Sequence, residues 1–326
     1  MRSFSCYTIC VMPVNTNDNI TLLGVPLDLG ANNLGVGDGP QVFRYQDIVN
    51  KLKHIGFNVK DAGNVICHDR KELEIGDHRI RYQDEILRVN EIVAQITEDA
   101  VRQNQRVVAL GGDHSINLGT VSGASTAVGG EIGVLYFDAH GDINTKETTL
   151  SGNIHGMHLA SLMGFGSDEL KNLHGEQIKL PKENLLHIGG CDFDDAELAL
   201  IRNEQLATFT LLDVLKYSLA PLFEKIDALS NKVPNIWVSM DLDCIDKFFA
   251  PGVGMPNVKG FTYREITTIA EYVGEHCNVI GMDIVEFNPL TDEQNKTAEL
   301  GIELVAKFLG KDYCWYTNYM ERNKAD

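Results

Sequence analysis

Short apolar runs recur along the chain and predict the strands of a buried sheet. Most of these runs are rich in β-branched residues and apolar on both faces, which is typical of a parallel sheet covered by helices on each side. A membrane-spanning helix needs roughly 18 apolar residues in succession. No run is that long, so no transmembrane helix is expected. The predicted strands are residues 19–25, 107–110, 132–137, 185–188, 236–240 and 279–285.

Between the predicted strands, apolar residues recur every three or four positions, and this spacing predicts amphipathic helices. Residues 83–103 are expected to form one long helix, with Ile92 among the apolar residues of its buried face. Residues 197–229 predict one or two helices, with a break before Pro221. These helices would cover the apolar faces of the strands.

Two further helices are marked by the signals at their ends. Thr262 and Glu265 form a capping-box pattern, which opens a helix expected to end near Gly274. Residues 296–309 predict the last helix, closed by Gly310. Strand–helix alternation over the whole length predicts fold class α/β, as a single three-layer αβα domain with a central, mostly parallel sheet.

Composition narrows the class of protein. The 326 residues are 44% hydrophobic, enough for one large domain. We expect that domain at residues 19–326, after a flexible N-terminal extension of residues 1–18. A formal net charge of −18 without a Lys/Arg cluster argues against nucleic-acid binding. Seven scattered cysteines, odd in number and without a CxxC pair, indicate reduced thiols and a cytoplasmic protein.

Residues of metal-ligand type stand just past three of the predicted strands, where open α/β sheets place their sites. Four carboxylates brought together without cations would repel one another, and some would stay protonated. The simplest interpretation is a dinuclear site for divalent ions, which makes hydroxide near neutral pH. Such donors suit Mn²⁺, Fe²⁺ or Co²⁺, with Zn²⁺ also allowed, and do not choose among them. The candidate ligands are His114, Asp138, His140, Asp142, Asp241 and Asp243.

Other polar residues follow the same strand ends. The polar segment 142–157 would lie at the mouth of the sheet, where loops select substrates. Within it His155 is a candidate proton shuttle, with a structural histidine as the alternative. Glu286 follows the last predicted strand and is a candidate partner for a cationic substrate group, or else a surface glutamate. The glycine-rich run 35–40 lacks the spacing of a phosphate loop and predicts a turn near the site.

Four motifs together resemble those of the ureohydrolase superfamily. They are Gly111–Ser115, Asp138–Asn144, Ser151–Gly156 and Ser239–Asp243. The stretch from Asp138 to Met157 is most similar to the arginase family, because its loop from Asn144 to Asn153 favours arginases over agmatinases. The resemblance covers most of the chain. It implies an arginase-like fold with about eight strands, and a homo-oligomer, either a trimer or a hexamer.

The resemblance also implies a role for each residue in hydrolysing L-arginine to L-ornithine and urea. One Mn²⁺ would take His114, Asp138, Asp142 and Asp241. The other would take His140, Asp138, Asp241 and Asp243, with a hydroxide bridging the two ions. His155 would shuttle protons, and Glu286 would orient the guanidinium. Apart from the resemblance, the chemistry makes Asp142 a candidate to accept the hydroxide's proton. The residues implied to bind the amino-acid end of the substrate are Asn144, Thr149, Ser151, Asn153, Asp194 and Glu197.

Two departures from the family pattern keep alternatives open. Met255 stands where relatives commonly have Thr beside the guanidinium, and it cannot donate the same hydrogen bond. Cys191 stands where relatives often have Arg. The alternatives are a hydrolase of agmatine or a guanidino acid, and a metal-binding homologue without activity. A dinuclear phosphoesterase would need cationic residues near the metals, for which Lys146 is the only nearby candidate.

Overall fold

Eight parallel strands form one sheet in the computed structural model, which describes residues 15–314. Their order across the sheet is β2-β1-β3-β8-β7-β4-β5-β6. The predicted α/β class with a parallel sheet of about eight strands is confirmed. The strands are Asn19–Val25 (β1), Asn58–Asn64 (β2), Arg106–Gly111 (β3), Ile132–Phe137 (β4), Leu185–Gly189 (β5), Thr208–Thr210 (β6), Asn235–Asp241 (β7) and Val279–Val285 (β8).

Helices cover both faces of this sheet and form two separate apolar clusters with it. Alternate residues of a strand point to opposite faces, so Leu135 and Phe137 enter one cluster while Val134 and Tyr136 enter the other. The result is the predicted three-layer αβα arrangement. The helices are Gly39–Tyr45 (α1), Ile48–His54 (α2), Gln83–Arg102 (α3), Asn117–Ala127 (α4), His158–Leu162 (α5), Asp168–Lys171 (α6), Asp195–Glu204 (α7), Leu211–Tyr217 (α8), Ala220–Lys232 (α9), Tyr263–His276 (α10) and Lys296–Phe308 (α11).

Two helical predictions are wrong in detail. Residues 197–229 contain parts of three helices, α7, α8 and α9, and the edge strand β6, rather than one or two helices. The chain does break before Pro221, which lies in the first turn of α9, where proline needs no backbone N–H. In α3, Ile92 is 39% exposed and does not belong to the buried face.

Gly274 does not end α10, which continues to His276. A Cβ at Gly274 would lie 2.1 Å from the carbonyl oxygen of Lys307. The glycine therefore allows α10 to pack closely on α11. Close approach of two backbones is a second use of glycine, and it leaves the same mark in a sequence as a helix end.

The strand order determines where the site lies. The four adjacent strands β3, β8, β7 and β4 present their carboxyl ends side by side. Phe137 pairs with Met240, so the residues that follow them, Asp138 and Asp241, are neighbours. After β3, a Cβ at Gly112 would come 1.9 Å from the Leu27 carbonyl oxygen, so this loop lies directly against the one after β1. Within residues 15–314, no helix has the length and apolar character to cross a bilayer.

Candidate active site

The first half of the site surrounds His114, which is fully buried at the end of β3. Its Nδ1 lies 3.0 Å from Asp138 Oδ2, 3.4 Å from Asp142 Oδ2 and 3.1 Å from Asp241 Oδ2. Asp142 reaches this position because its backbone turns to a φ of 52°. The side chains of Asp138 and Asp142 therefore converge through a turn of the backbone and not along an extended strand.

The other ring nitrogen of His114 is fixed by a hydrogen-bond chain through Ser239 to Asp283. Nε2 lies 2.9 Å from Ser239 Oγ, whose hydroxyl donates to Asp283 at 2.6 Å. Since the Ser239 hydroxyl donates its hydrogen to Asp283, the serine oxygen accepts a hydrogen bond from the N–H of His114 Nε2. Asp283 is buried and also accepts hydrogen bonds from Trp237 and Thr120. This arrangement aims Nδ1 at the three carboxylates, as the outer partners of metal-binding histidines do.

The second half of the site surrounds His140. Its Nδ1 lies 3.3 Å from Asp138 Oδ1 and 3.1 Å from Asp243 Oδ2. Asp138 thus offers one oxygen to each half of the site. Donor atoms of His114, Asp138 and Asp241, and those of Asp138, His140 and Asp243, are each close enough together to hold one ion. The two groups share a carboxylate, which is the arrangement of a bridged pair of ions.

Without ions, the cluster balances its charge with protons. Burial raises the pKa of Asp142, Asp241 and Asp243 above the ordinary value. Burial opposes a charged His114 or His140, yet hydrogen bonds and charges of the neighbouring carboxylates raise the pKa of both imidazoles. Such a buried set of oxygen and imidazole donors fits two divalent cations, which would replace the protons.

His155 and Glu286 lie together beside the two halves. Glu286 has a φ of 59° at the end of β8, and its Oε1 accepts the backbone N–H of His114 at 2.9 Å. The same Oε1 lies 3.4 Å from His155 Nδ1. Burial opposes a charge on His155, but the hydrogen bond and charge of Glu286 raise the pKa of His155 to about 9. His155 is therefore protonated at neutral pH.

A cavity of about 390 Å³ opens from both halves of the site to the surface. Most of the predicted substrate-contacting residues line it: Asn144, Ser151, Asn153, Asp194, Glu197 and Met255. Thr149 does not line the cavity. Its hydroxyl accepts the Gly152 N–H at 2.9 Å and shapes the loop. The cavity is also lined by Ala31, Asn32 and Asn33, which sequence analysis did not single out.

The arginase-family model matches residues 18–310 of the chain. An arginase of Brevibacillus brevis is 38% identical over 298 residues, which are 90% of this chain and 98% of that relative. The chain belongs to the arginase family. The solved arginase structure from Bacillus caldovelox matches this arginase-family fold with a TM-score of 0.87 at 35% identity, over 91% of this chain and 99% of that one. An Entamoeba histolytica arginase in complex with L-ornithine matches with a TM-score of 0.83 at 29% identity, over 90% and 99% of the two chains.

This arginase-family hydrolase has two cysteines near its cavity. Cys191 is half-buried, and its sulfur lies 2.9 Å from Asn257 Nδ2. Cys244 is fully buried. Burial raises the pKa of both thiols, which fits packing residues rather than nucleophiles. The described cysteines are all free: Cys67, Cys191, Cys244, Cys277 and Cys314. The other two, Cys6 and Cys10, lie outside residues 15–314.

Three polar residues that contact the candidate ligand cluster of this arginase-family protein were not among the predicted ligands. Ser239 and Tyr136 each precede a predicted ligand by two positions in a strand, so alternation alone puts them on the ligand's face. His158 lies three residues after His155 and is buried against Tyr136. Burial and the neighbouring His114 hold the pKa of His158 well below its ordinary value.

Proposed function

We propose that this protein hydrolyses L-arginine to L-ornithine and urea, using two Mn²⁺ ions per subunit. The observation that carries the proposal is the pair of ligand clusters that share Asp138 and open into one polar cavity. The ions would be bound by four aspartates and two histidines: Asp138, Asp142, Asp241, Asp243, His114 and His140. When bound, such a pair of ions supplies ionised water at neutral pH and stabilises developing negative charge.

The charges of the cavity favour a cationic substrate. Its lining includes eight acidic or histidine side chains besides Glu286, and among the described lining residues there is no Lys or Arg. Lys146, the candidate for phosphate binding, is instead paired with Asp77 at 2.7 Å. This arrangement argues against a phosphoesterase and for a guanidinium, which is a delocalised cation.

Glu286 and His155 have complementary tasks in the proposal. One oxygen of Glu286 is occupied by the His114 N–H, and the other faces Gly254, where a Cβ would come within 3.2 Å of it. The missing side chain leaves room for a guanidinium to pair with this oxygen through charge-assisted hydrogen bonds. The protonated His155 beside it can give its proton to the departing amine.

The far end of the cavity fits an α-amino acid. Asn144, Ser151 and Asn153 offer amide and hydroxyl donors to an α-carboxylate, and Asp194 and Glu197 offer acceptors to an α-amino group. Agmatine has no α-carboxylate and would leave those donors unused. A relative of known structure is described in complex with L-ornithine, which is the amino-acid product of the proposed reaction.

The assay is urea release by the Mn²⁺-loaded protein from L-arginine, agmatine and 4-guanidinobutyrate in parallel. We expect turnover of L-arginine, loss of activity on chelation and recovery with Mn²⁺. Preferential turnover of another guanidino compound would keep the hydrolase but reject arginine as substrate. No turnover with two ions bound would reject the enzyme function. A cytoplasmic trimer or hexamer is part of the proposal, and light scattering tests the assembly.

A further inference from the structure

We propose that the neutral phenol oxygen of Tyr136 is a further ligand for the ion on the His114 side, and that His158 accepts the hydrogen bond of the tyrosine hydroxyl. The inference rests on the dinuclear site of the proposed function and adds two residues to it. Both are fully buried, and neither belongs to the six ligands expected from the sequence motifs.

The position of the Tyr136 oxygen is that of a ligand atom. It lies 3.1 Å from His114 Nδ1, 2.9 Å from Asp138 Oδ2 and 2.8 Å from Asp142 Oδ2. Ligand bonds of roughly 2.1 Å to one ion set neighbouring octahedral ligand atoms about 3 Å apart. The Tyr136 oxygen therefore has the spacing of a fellow ligand. An oxygen in the place of the ion would be about 2 Å from each donor.

The proton of Tyr136 has a partner away from the ion. His158 Nδ1 lies 2.5 Å from the His155 carbonyl oxygen, which can only accept, so Nδ1 carries the hydrogen. In a neutral imidazole the other nitrogen is then an acceptor. His158 Nε2 lies 3.2 Å from the Tyr136 oxygen. Without ions, the Tyr136 hydroxyl donates to the nearer carboxylate oxygens of Asp138 and Asp142. With an ion bound to those oxygens, His158 Nε2 would be the acceptor that remains. Because a buried acceptor left without a donor is costly, the phenol would then donate its hydrogen bond to His158.

This assignment leaves the lone pairs of Tyr136 facing atoms that are themselves acceptors. In the ion-loaded site His114 would be neutral, with Nε2 donating to Ser239 and a lone pair on Nδ1, and the ionised carboxylate oxygens of Asp138 and Asp142 would only accept. Four acceptors within about 3 Å of one another repel unless a cation lies between them. A phenol oxygen adds coordination without adding charge to an already acidic cluster.

The test measures Mn²⁺ binding to the Tyr136→Phe variant by titration calorimetry, with the data fitted to two sites. Phenylalanine keeps the ring and removes only the oxygen. We expect one of the two dissociation constants to rise at least tenfold while the other changes little, as for a lost metal partner. A Co²⁺-loaded sample should show a changed visible absorption, because that absorption reports the ligand number. Tyr272→Phe is the matched control, since its hydroxyl bonds Asp227 away from the site.

His158 is a positioning residue in this scheme, so its effect must pass through Tyr136. His158→Asn should weaken the same ion in the wild-type background and add nothing in the Tyr136→Phe background. Equal effects in both backgrounds, or wild-type Mn²⁺ constants in Tyr136→Phe, would overturn the inference. The proposed function fails by a different result, when the wild-type protein binds both ions and releases no urea.

Discussion

Asn144 Nδ2 donates a hydrogen bond of 2.7 Å to Asp194 Oδ2 and so joins two loops that are 50 residues apart. The other oxygen of Asp194 caps α7 by accepting the N–H groups of Ala196 and Glu197. The aspartate is thus fixed by a helix on one side and by Asn144 on the other. The proposed binding groups for the α-carboxylate and the α-amino group form one connected unit.

The variant Asn144→Ala breaks this unit. We expect KM for L-arginine to rise about 10- to 100-fold, since a hydrogen bond to a charged group contributes roughly 1.5–3 kcal/mol. Any agmatine turnover should change much less, because agmatine lacks the α-carboxylate. Steady-state kinetics on both substrates measure this, with Asn50→Ala as control, an exposed amide bonded to Asp47. An equal loss on both substrates would show that Asn144 acts on the fold or the metals instead.

Glu286→Gln tests the proposed pairing with the guanidinium. Glutamine can still accept the His114 N–H, but it no longer carries the charge. Removing one partner of a buried ion pair costs roughly 3–5 kcal/mol, so kcat/KM should fall by about two to four orders of magnitude. The unfolding temperature should stay within a few degrees. Glu204→Gln, which changes only a surface pair with Lys182, serves as control. A variant within tenfold of wild type would remove Glu286 from substrate binding.

The pH profile of kcat should report His155. Without ions its pKa lies at about 9, and nearby cations lower that value because they disfavour a charged imidazole. The proton that His155 donates is therefore lost as the pH rises through about 9 or somewhat below. We expect an alkaline limb in that region, and its disappearance in His155→Asn. Removing the negative charge in Glu286→Gln lowers the pKa of His155 and should move the limb to lower pH. A limb that stays in place in His155→Asn belongs to another group.

Metal loading should release protons. In the metal-free protein the pKa values of His114 and His140 lie above the ordinary value, so both imidazoles are charged at neutral pH. A metal ligand must be neutral or anionic, so binding displaces these protons and affinity rises with pH. Calorimetric titrations in buffers of different ionisation enthalpy count the protons. Binding without proton release would contradict the protonated state of the empty cluster.

The strands were predictable because both their faces are buried and apolar, and that pattern is local. The two edge strands were not. β2 is mostly exposed and polar, and β6 has three residues, so neither has a distinctive apolar run. Local sequence is likewise insufficient for Gly274. A glycine is needed there because the carbonyl of Lys307, 33 residues away in the chain, lies too close for a side chain.

The candidate metal ligands were predictable because they stand at or just past the ends of strands. The residues that contact these ligands were not predictable, because their role depends on the three-dimensional fold. Tyr136 and His158 look like core residues in sequence, and their chemistry exists only because the fold aims their polar atoms at His114 and Asp142. Asp283 lies inside an apolar strand, and its four donors come from two other elements, α4 and β7.

The strand order has a consequence for how the protein is made. β7 and β8 are the last strands to be synthesised, yet they insert between β3 and β4. A growing chain that has reached β6 contains His114 and Asp138 but has nothing between the two strands that carry them. In the proposed function, the complete ion site would exist only in the finished sheet, and bound ions would stabilise that sheet by mass action. Manganese supply would then influence how much of the newly made protein escapes aggregation, before any substrate is turned over.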